Sequence, residues 1–297
     1  MSSTANAPLL SVTAGKEKRV LDELDLHFLS DFLKKRIGME LGKDKKYLVE
    51  SRLSPLAIRE KLPGAKGVIE LLKKEPGHPI VEDIIDAMTT HETLFFRDKE
   101  PFEFLKRKIL PELLRSRLKK RSLRIWSAAC STGQEPYSLA MLIEEVISGN
   151  REFGAVRDWK IEIVGTDISK ATLRRAEAGI YSQFEMARGL PEPLKARWFK
   201  PLADGSWQFR DELRRWVSYR VHNLTDPVGD LGTFDLVFCR NVLIYFGVDD
   251  KRKILNRLAG ALCMDGRLIL GGAETVLGIT TEFRREAGTT AAIYQKV

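Results

Sequence analysis

Glu135, Asp167, Asn223, Arg240 and Asn241 are polar side chains that each follow a short apolar run, and that shared position could give them a common chemistry. The runs are Leu123 to Ala128, Lys160 to Thr166, Trp216 to Val221 and Phe234 to Cys239, and they read as buried strands. In a doubly wound sheet the crevice beyond the carboxyl ends of the strands takes the ligand, so polar residues at successive strand tips converge on one molecule. After the first strand, Ala128 to Gly133 carry little side-chain bulk and let a ligand approach the backbone. Pro136 then suits a first helical turn, and Leu139, Ala140, Leu142, Ile143 and Val146 recur at helical spacing. An acid at the tip of the second strand, here Asp167, is where such folds hold ribose hydroxyls, although alone it is equally a turn residue. The loop lacks the Gly-x-Gly-x-x-Gly spacing of a tight pyrophosphate contact. One glycine among small residues suits a nucleoside cofactor without phosphates, S-adenosylmethionine first among them.

Several segments frame these strands. Residues 1–20, rich in Ser, Ala and Thr, predict a disordered lead-in. Residues 21–88 predict a small all-helical domain. Its helices run from about Asp22 to a stop at Gly38, from Lys43 to Leu53 with Pro55 bending or interrupting the continuation towards Arg59, over Gly67 to Lys74 and over Ile80 to Met88. Residues 89–122 form a linker and a helix, Phe102 to Leu118. Within it Phe95 and Phe96 read most simply as an interdomain plug and Arg97 as a surface charge. Residues 123–297 predict the α/β domain, with residues 181–220 as an inserted helical piece and small antiparallel excursion. Ser169 caps the helix after the second strand, and Asp249 or Asp250 caps one running through Leu262. Gly266 to Leu270 and Ala291 to Lys296 complete the strands.

Hydrophobic residues make up 43% of the 297 residues, enough for real cores, and no apolar run approaches the length that spans a bilayer. The start has neither a basic leader nor a long apolar segment, which predicts no secretory signal. Cys130, Cys239 and Cys263 are far apart and read as reduced thiols in a cytoplasmic protein. The four histidines show no ligand spacing, so no metal is expected. The net charge of +8 sits mainly in front: residues 1–122 carry 25 Lys and Arg against 19 Asp and Glu. A solvated helical surface explains that excess, and so does an acidic macromolecular partner.

Trp126 to Ser138 and Phe234 to Phe246 closely resemble the corresponding stretches of the CheR-type chemotaxis receptor methyltransferases. Thr93 with Phe95-Phe96-Arg97, Gly165 to Ile168 and Val221 to Leu224 fit the same family, and the likeness covers nearly everything from about residue 22. It implies a Rossmann-like methyltransferase domain with an inserted β-subdomain behind a helical receptor-recognition domain. It implies methyl transfer from S-adenosylmethionine to glutamates on the cytoplasmic helical bundle of methyl-accepting receptors, giving glutamyl methyl esters and S-adenosylhomocysteine. By the same resemblance His91, Thr93, Arg97, Gly133, Glu135, Asp167, Asn223, Leu224, Arg240 and Asn241 belong to the cofactor site, and Arg97 and Tyr245 orient the reacting groups. His91 stands where many members carry asparagine. Lys45, Lys46, Arg52 and Arg59 are placed against the acidic receptor helix. The loop between Phe199 and Arg210 is compact, which suits a form needing no receptor C-terminal tether.

Two other functions remain open. A nucleic-acid methyltransferase would use the basic front, but the chain has no Asn-Pro-Pro-Tyr or Asp-Pro-Pro-Tyr stretch and no aromatics interleaved among the basic residues. A non-catalytic cofactor-binding module would be hinted at only by His91. The expectation is a monomer with no nucleic-acid partner and no membrane insertion.

Overall fold

The structure is a computed structural model that describes residues 20–42 and 45–297. Residues 1–19 of the expected lead-in, and the expected helix start at Lys43, lie outside the described residues. The chain divides into two compact units, one running up to Leu29 and resuming over Gly42–Met88, the other comprising Ser30–Leu41 and Thr89–Val297.

The first unit is helical. α1 spans Glu23–Ile37, α2 Lys46–Arg59, α3 Gly64–Lys74 and α4 Ile80–Met88. Val49, Leu53, Leu56 and Ala57 form the buried face of α2, and Val68, Ile69, Leu72, Ile84 and Ile85 are buried on α3 and α4. That burial carries α2 through Pro55, where sequence expected a bend or an interruption; a proline inside a helix loses one backbone bond, and here the helix continues for four more residues. Asp25, almost fully buried, accepts from Lys73 at 2.7 Å and lies 3.2 Å from Lys66, clamping the start of α1 to α3.

The second unit opens with α5 (Glu100–Phe104), which passes through a π-helical turn at Leu105–Ile109 into α6 (Leu110–Ser116). There follow β1 (Ser122–Ala128), α7 (Gln134–Ser148), β2 (Lys160–Asp167) and α8 (Lys170–Ala178). The insert contains β3 (Ile180–Tyr181), α9 (Gln183–Ala187), α10 (Glu192–Trp198), β4 (Phe199–Pro201), β5 (Trp207–Phe209) and α11 (Asp211–Arg214). β6 (Val217–Val221), β7 (Phe234–Cys239), α12 (Val248–Ala261), β8 (Leu262–Leu270), β9 (Phe283–Arg285) and β10 (Ile293–Lys296) complete it.

The main sheet has the order β6-β2-β1-β7-β8-β10-β9, parallel from β6 to β8 with β10 and β9 antiparallel. Successive strand residues point to opposite faces, so Ile125, Ile163 and Phe238 join one core cluster while Trp126, Val164 and Val237 join the other. The strand order reverses direction between β1 and β7, which is the switch point of a doubly wound sheet. The insert forms a separate three-stranded antiparallel sheet, β3-β5-β4. This is the α/β architecture with an antiparallel insertion that the sequence predicts.

Three details differ. Gly247, not Asp249 or Asp250, stands at the N-cap of α12; the two acids lie in the first turn and pair with Arg252 and Lys253. β9 has no counterpart among the expected strands, because Phe283–Arg285 offers only one buried side chain. Ser30–Leu41 clusters with the second unit, although sequence placed it among the front helices. Gly38, at φ +74°, ends α1 there, and a Cβ on it would come within 2.8 Å of Thr225 and Phe246.

Candidate active site

Register aligns the strand tips. Ala128 pairs with Thr166 and with Cys239, Asp167 with Val221, and Cys239 with Leu270, so the residues that follow them share one edge. That edge is a cleft holding about 970 Å³ of open space, including its mouth. His91, Thr93, Arg97, Glu135, Asp167, Asn223, Leu224, Arg240, Asn241 and Tyr245 all line it.

Backbone shape makes the first wall. Ala129 and Ser131 have φ of 56° and 51°, a left-handed geometry that non-glycine residues hold only under constraint. The constraint on Ser131 is visible: its N–H donates to Asp167 Oδ2 at 2.9 Å and its hydroxyl to the His91 carbonyl at 2.7 Å. Asp167 Oδ1 accepts from the Ser169 N–H. Burial raises the Asp167 carboxyl above the usual aspartate range, against the opposing pull of these N–H groups and of His91. The Cys130 thiol in the same wall is pushed well up by burial and by the Asp167 and Glu135 charges, so it is held as a protonated thiol.

Gly133 is not on the cleft wall. At φ +91° it caps α7, and a Cβ there would meet the Tyr219 hydroxyl at 2.8 Å and Ala176 at 2.9 Å. Its glycine is required by packing behind the loop, where a side chain would have no room.

Glu135 and Arg240 form a buried pair at the cleft floor, Oε2 to Nη1 3.1 Å, with Ser127 donating to Glu135 Oε1 at 2.7 Å. Arg240 Nη2 also donates to the Arg97 carbonyl at 2.9 Å and to Asp98 Oδ2 at 2.8 Å. Arg240 therefore ties the floor to the turn that carries Arg97. Phe95 and Phe96 anchor that turn inside this unit: Phe95 stands edge-on to Tyr181 and Phe199 at 5.1 and 5.6 Å, and Phe96 to Phe102 at 5.3 Å. They plug the core of the second unit, where sequence made them an interdomain plug. Arg97 itself, half-buried, gives one guanidinium nitrogen to the Glu92 carbonyl.

The wall opposite depends on a residue that sequence reading missed. Glu274, buried, accepts four backbone N–H bonds, from Asn241 and Gly271 at Oε2 and from Val242 and Leu243 at Oε1, all between 2.7 and 2.9 Å. It holds Asn241 at φ 58° and fixes the short turn leading to Tyr245. Its signal lay in no motif, since it acts across 33 residues of chain. The segment after α1 joins this wall: Met39 bridges Phe246, the Glu40 N–H donates to the Tyr245 carbonyl, and Asn223 Nδ2 donates to the Arg36 carbonyl. Ile37 and Met39 thus enter the lining, which sequence missed because it placed them in another domain.

These residues fit a nucleoside carrying an amino-acid group. Asn241 Oδ1 and Arg240 Nε are buried polar atoms with no partner among the described residues, as a site awaiting ligand polar groups would have. Ile37, Met39, Ile168, Leu224 and Phe246 supply apolar walls for a base, and Asp167 stands ready for hydroxyls.

Lys45, Lys46, Arg52 and Arg59 all lie in or beside α2 of the other unit and are not part of this cleft. Lys45 and Lys46 are exposed; the Arg52 guanidinium donates to the Met88 carbonyl, and Arg59 pairs with Asp83 and Glu60.

Residues 91–292 match the model of the CheR methyltransferase SAM binding domain, and residues 24–89 match that of the CheR methyltransferase all-alpha domain. The chain belongs to the CheR methyltransferase family. It is 40% identical to the chemotaxis protein methyltransferase Cher2 of Pseudomonas putida over 272 residues, 92% of this chain and 98% of that one. Chemotaxis protein methyltransferase 1 of Pseudomonas aeruginosa is 41% identical, covering 91% and 97%. The chemotaxis protein methyltransferase of Borreliella burgdorferi is 36% identical, covering 81% and 84%. The chain is accordingly an S-adenosylmethionine-dependent methyltransferase, and the cleft lies within the matched SAM binding domain.

Proposed function

We propose that this enzyme methylates glutamate side chains on the cytoplasmic helical bundle of chemoreceptors, giving glutamyl methyl esters and S-adenosylhomocysteine. Family membership supports receptor methylation in chemotaxis. The choice of a carboxylate rests on one observation. Arg97 and Tyr245 both line the cleft, and among the described residues the Tyr245 hydroxyl and the remaining Arg97 donors have no partner.

A cation and a hydroxyl donor suit an incoming carboxylate. A glutamate has a pKa of about 4.3 and is already ionised at neutral pH, so its oxygen needs no base to become nucleophilic. What it needs is orientation and partial removal from water, which Arg97 and Tyr245 supply by position. When bound, S-adenosylmethionine provides an electrophilic methyl group on a sulfonium. Asp167 and Asn241 hold it at the strand tips, and Glu135, braced by Arg240, lies at the floor. Lys45 and Lys46 extend the basic front that would meet an acidic receptor, in a cytoplasmic setting. The compact turn from Leu202 to Ser206, closed by a Leu202 N–H to Ser206 carbonyl bond, suits action without a receptor tether.

The test offers labelled S-adenosylmethionine with either a receptor cytoplasmic fragment or nucleic acid. Base-labile label on the fragment is the expected result. Base-stable label, label on nucleic acid, or cofactor binding without transfer each overturns it.

A further inference from the structure

A second cavity lies between the end of α1 and α12, lined by Lys34, Lys35, Gly38, Thr225, Lys253 and Arg257 together with Asp250, and holds about 510 Å³ of open space. Two of its cations are already neutralised: Lys34 pairs with Glu40 at 2.8 Å and Lys253 with Asp250 at 3.1 Å. Lys35 and Arg257 have no hydrogen bond or ion pair among the described residues. They come from elements far apart in sequence and face one concavity, which concentrates positive potential there.

The cavity also shares a wall with the methyl-transfer cleft. Gly38 and Thr225 belong to its wall, Phe246 and Leu224 to the wall of the cleft, and a Cβ on Gly38 would touch both Thr225 and Phe246. Phe246 follows Tyr245 directly, so the wall shared by the two concavities is continuous in the chain with the residue at the methyl-transfer end of the cleft.

We propose that this basic cavity docks acidic side chains of the receptor helix whose glutamate enters the cleft, a proposal that rests on the functional reading above. A helix advances about 5.4 Å per turn, so an Asp or Glu one or two turns from the methylated residue comes over the cavity while that residue occupies the cleft. Such docking selects glutamates that have an acidic neighbour on the same helix face. Lys35 and Arg257 then act on substrate capture and not on the reacting atoms.

The test measures methylation of a receptor cytoplasmic fragment by the full chain. Lys35→Glu with Arg257→Glu raises KM for the fragment about ten-fold, with kcat and affinity for S-adenosylhomocysteine within about two-fold of wild type. Raising salt increases the wild-type KM and affects the variant much less. Because the Arg257 charge reaches His222 on the cleft wall, Lys35→Glu alone is the cleaner variant and still raises KM about three-fold. The same charge change at Arg151 and Arg157 leaves KM unmoved. An unchanged KM in both cavity variants overturns the docking site while leaving the enzyme's function standing. A wild-type enzyme that binds S-adenosylhomocysteine but does not methylate the fragment overturns the functional reading and the docking site with it.

Discussion

Glu274 shows how one carboxylate can govern a catalytic wall it does not join. Its four N–H bonds satisfy a backbone turned through left-handed geometry at Asn241, and Gly271 has no room for a side chain because Asn241 and Glu274 already fill it. Glu274→Ala therefore lowers kcat about 100-fold, and Glu274→Gln, which keeps one accepting oxygen, about ten-fold. Thermal unfolding of the Gln variant should show a nearly wild-type midpoint; a parallel collapse of the midpoint and kcat would make Glu274 a simple folding residue. Asp167 yields a pH prediction. Burial raises its pKa above the ordinary 3.8, so the ionised form is lost at a higher pH than for an exposed aspartate as the solution is acidified. Cofactor affinity falls on that acid limb, while Asp167→Asn binds weakly and without the limb; an identical profile for the two proteins contradicts the assignment. Asp167, Arg240 and Asn241 were legible in sequence because each ends an apolar run. Glu274 and the packing constraint on Gly133 were not, since both depend on partners brought in by the fold: a distant loop for one, Tyr219 and Ala176 for the other.

Among elements, the clamp of α1 on α3 and the turn at Phe95 carry the most. Asp25→Ala removes the acceptor shared by Lys66 and Lys73 and costs about 2 kcal/mol in the helical unit, measurable by denaturant unfolding followed through that unit. Sequence reading expected helices over Gly67 to Lys74 and Ile80 to Met88, where α3 and α4 stand. It could not announce that α2 would run through Pro55, because the burial of Leu56 and Ala57 beyond the proline is a tertiary matter. The same limit hid the end of α1. Leu33 and Ile37 continue the helix pattern of the residues before them, and nothing in that pattern says that Ser30–Leu41 belongs with the cleft and supplies Ile37 and Met39 to it.

At the scale of the molecule, an ion-pair cluster fastens the base of the sheet. Arg117, just past α6, meets Asp235 of β7 and Asp265 of β8 at 2.7 Å each, and Asp235 also accepts from the Arg124 N–H of β1. Arg117 holds the Asp265 carboxyl below the usual aspartate range. Asp235→Ala leaves that arginine short of a buried partner and costs about 3 kcal/mol, to be read as a lowered denaturation midpoint with an unchanged cofactor affinity at native conditions. The α/β class and the insert were legible because strand and helix patterns alternate and then stop alternating at Tyr181.

What the alternation could not convey is how tightly the insert is bound to the rest. Phe95, two residues before Arg97, sits between Tyr181 and Phe199 of the insert, and Gly189 passes so close to the Phe95 carbonyl that a Cβ there would overlap it. The insert is thus a tenon through the catalytic frame. A shortened enzyme lacking the insert, residues 180–214, would lose the support of the arginine turn.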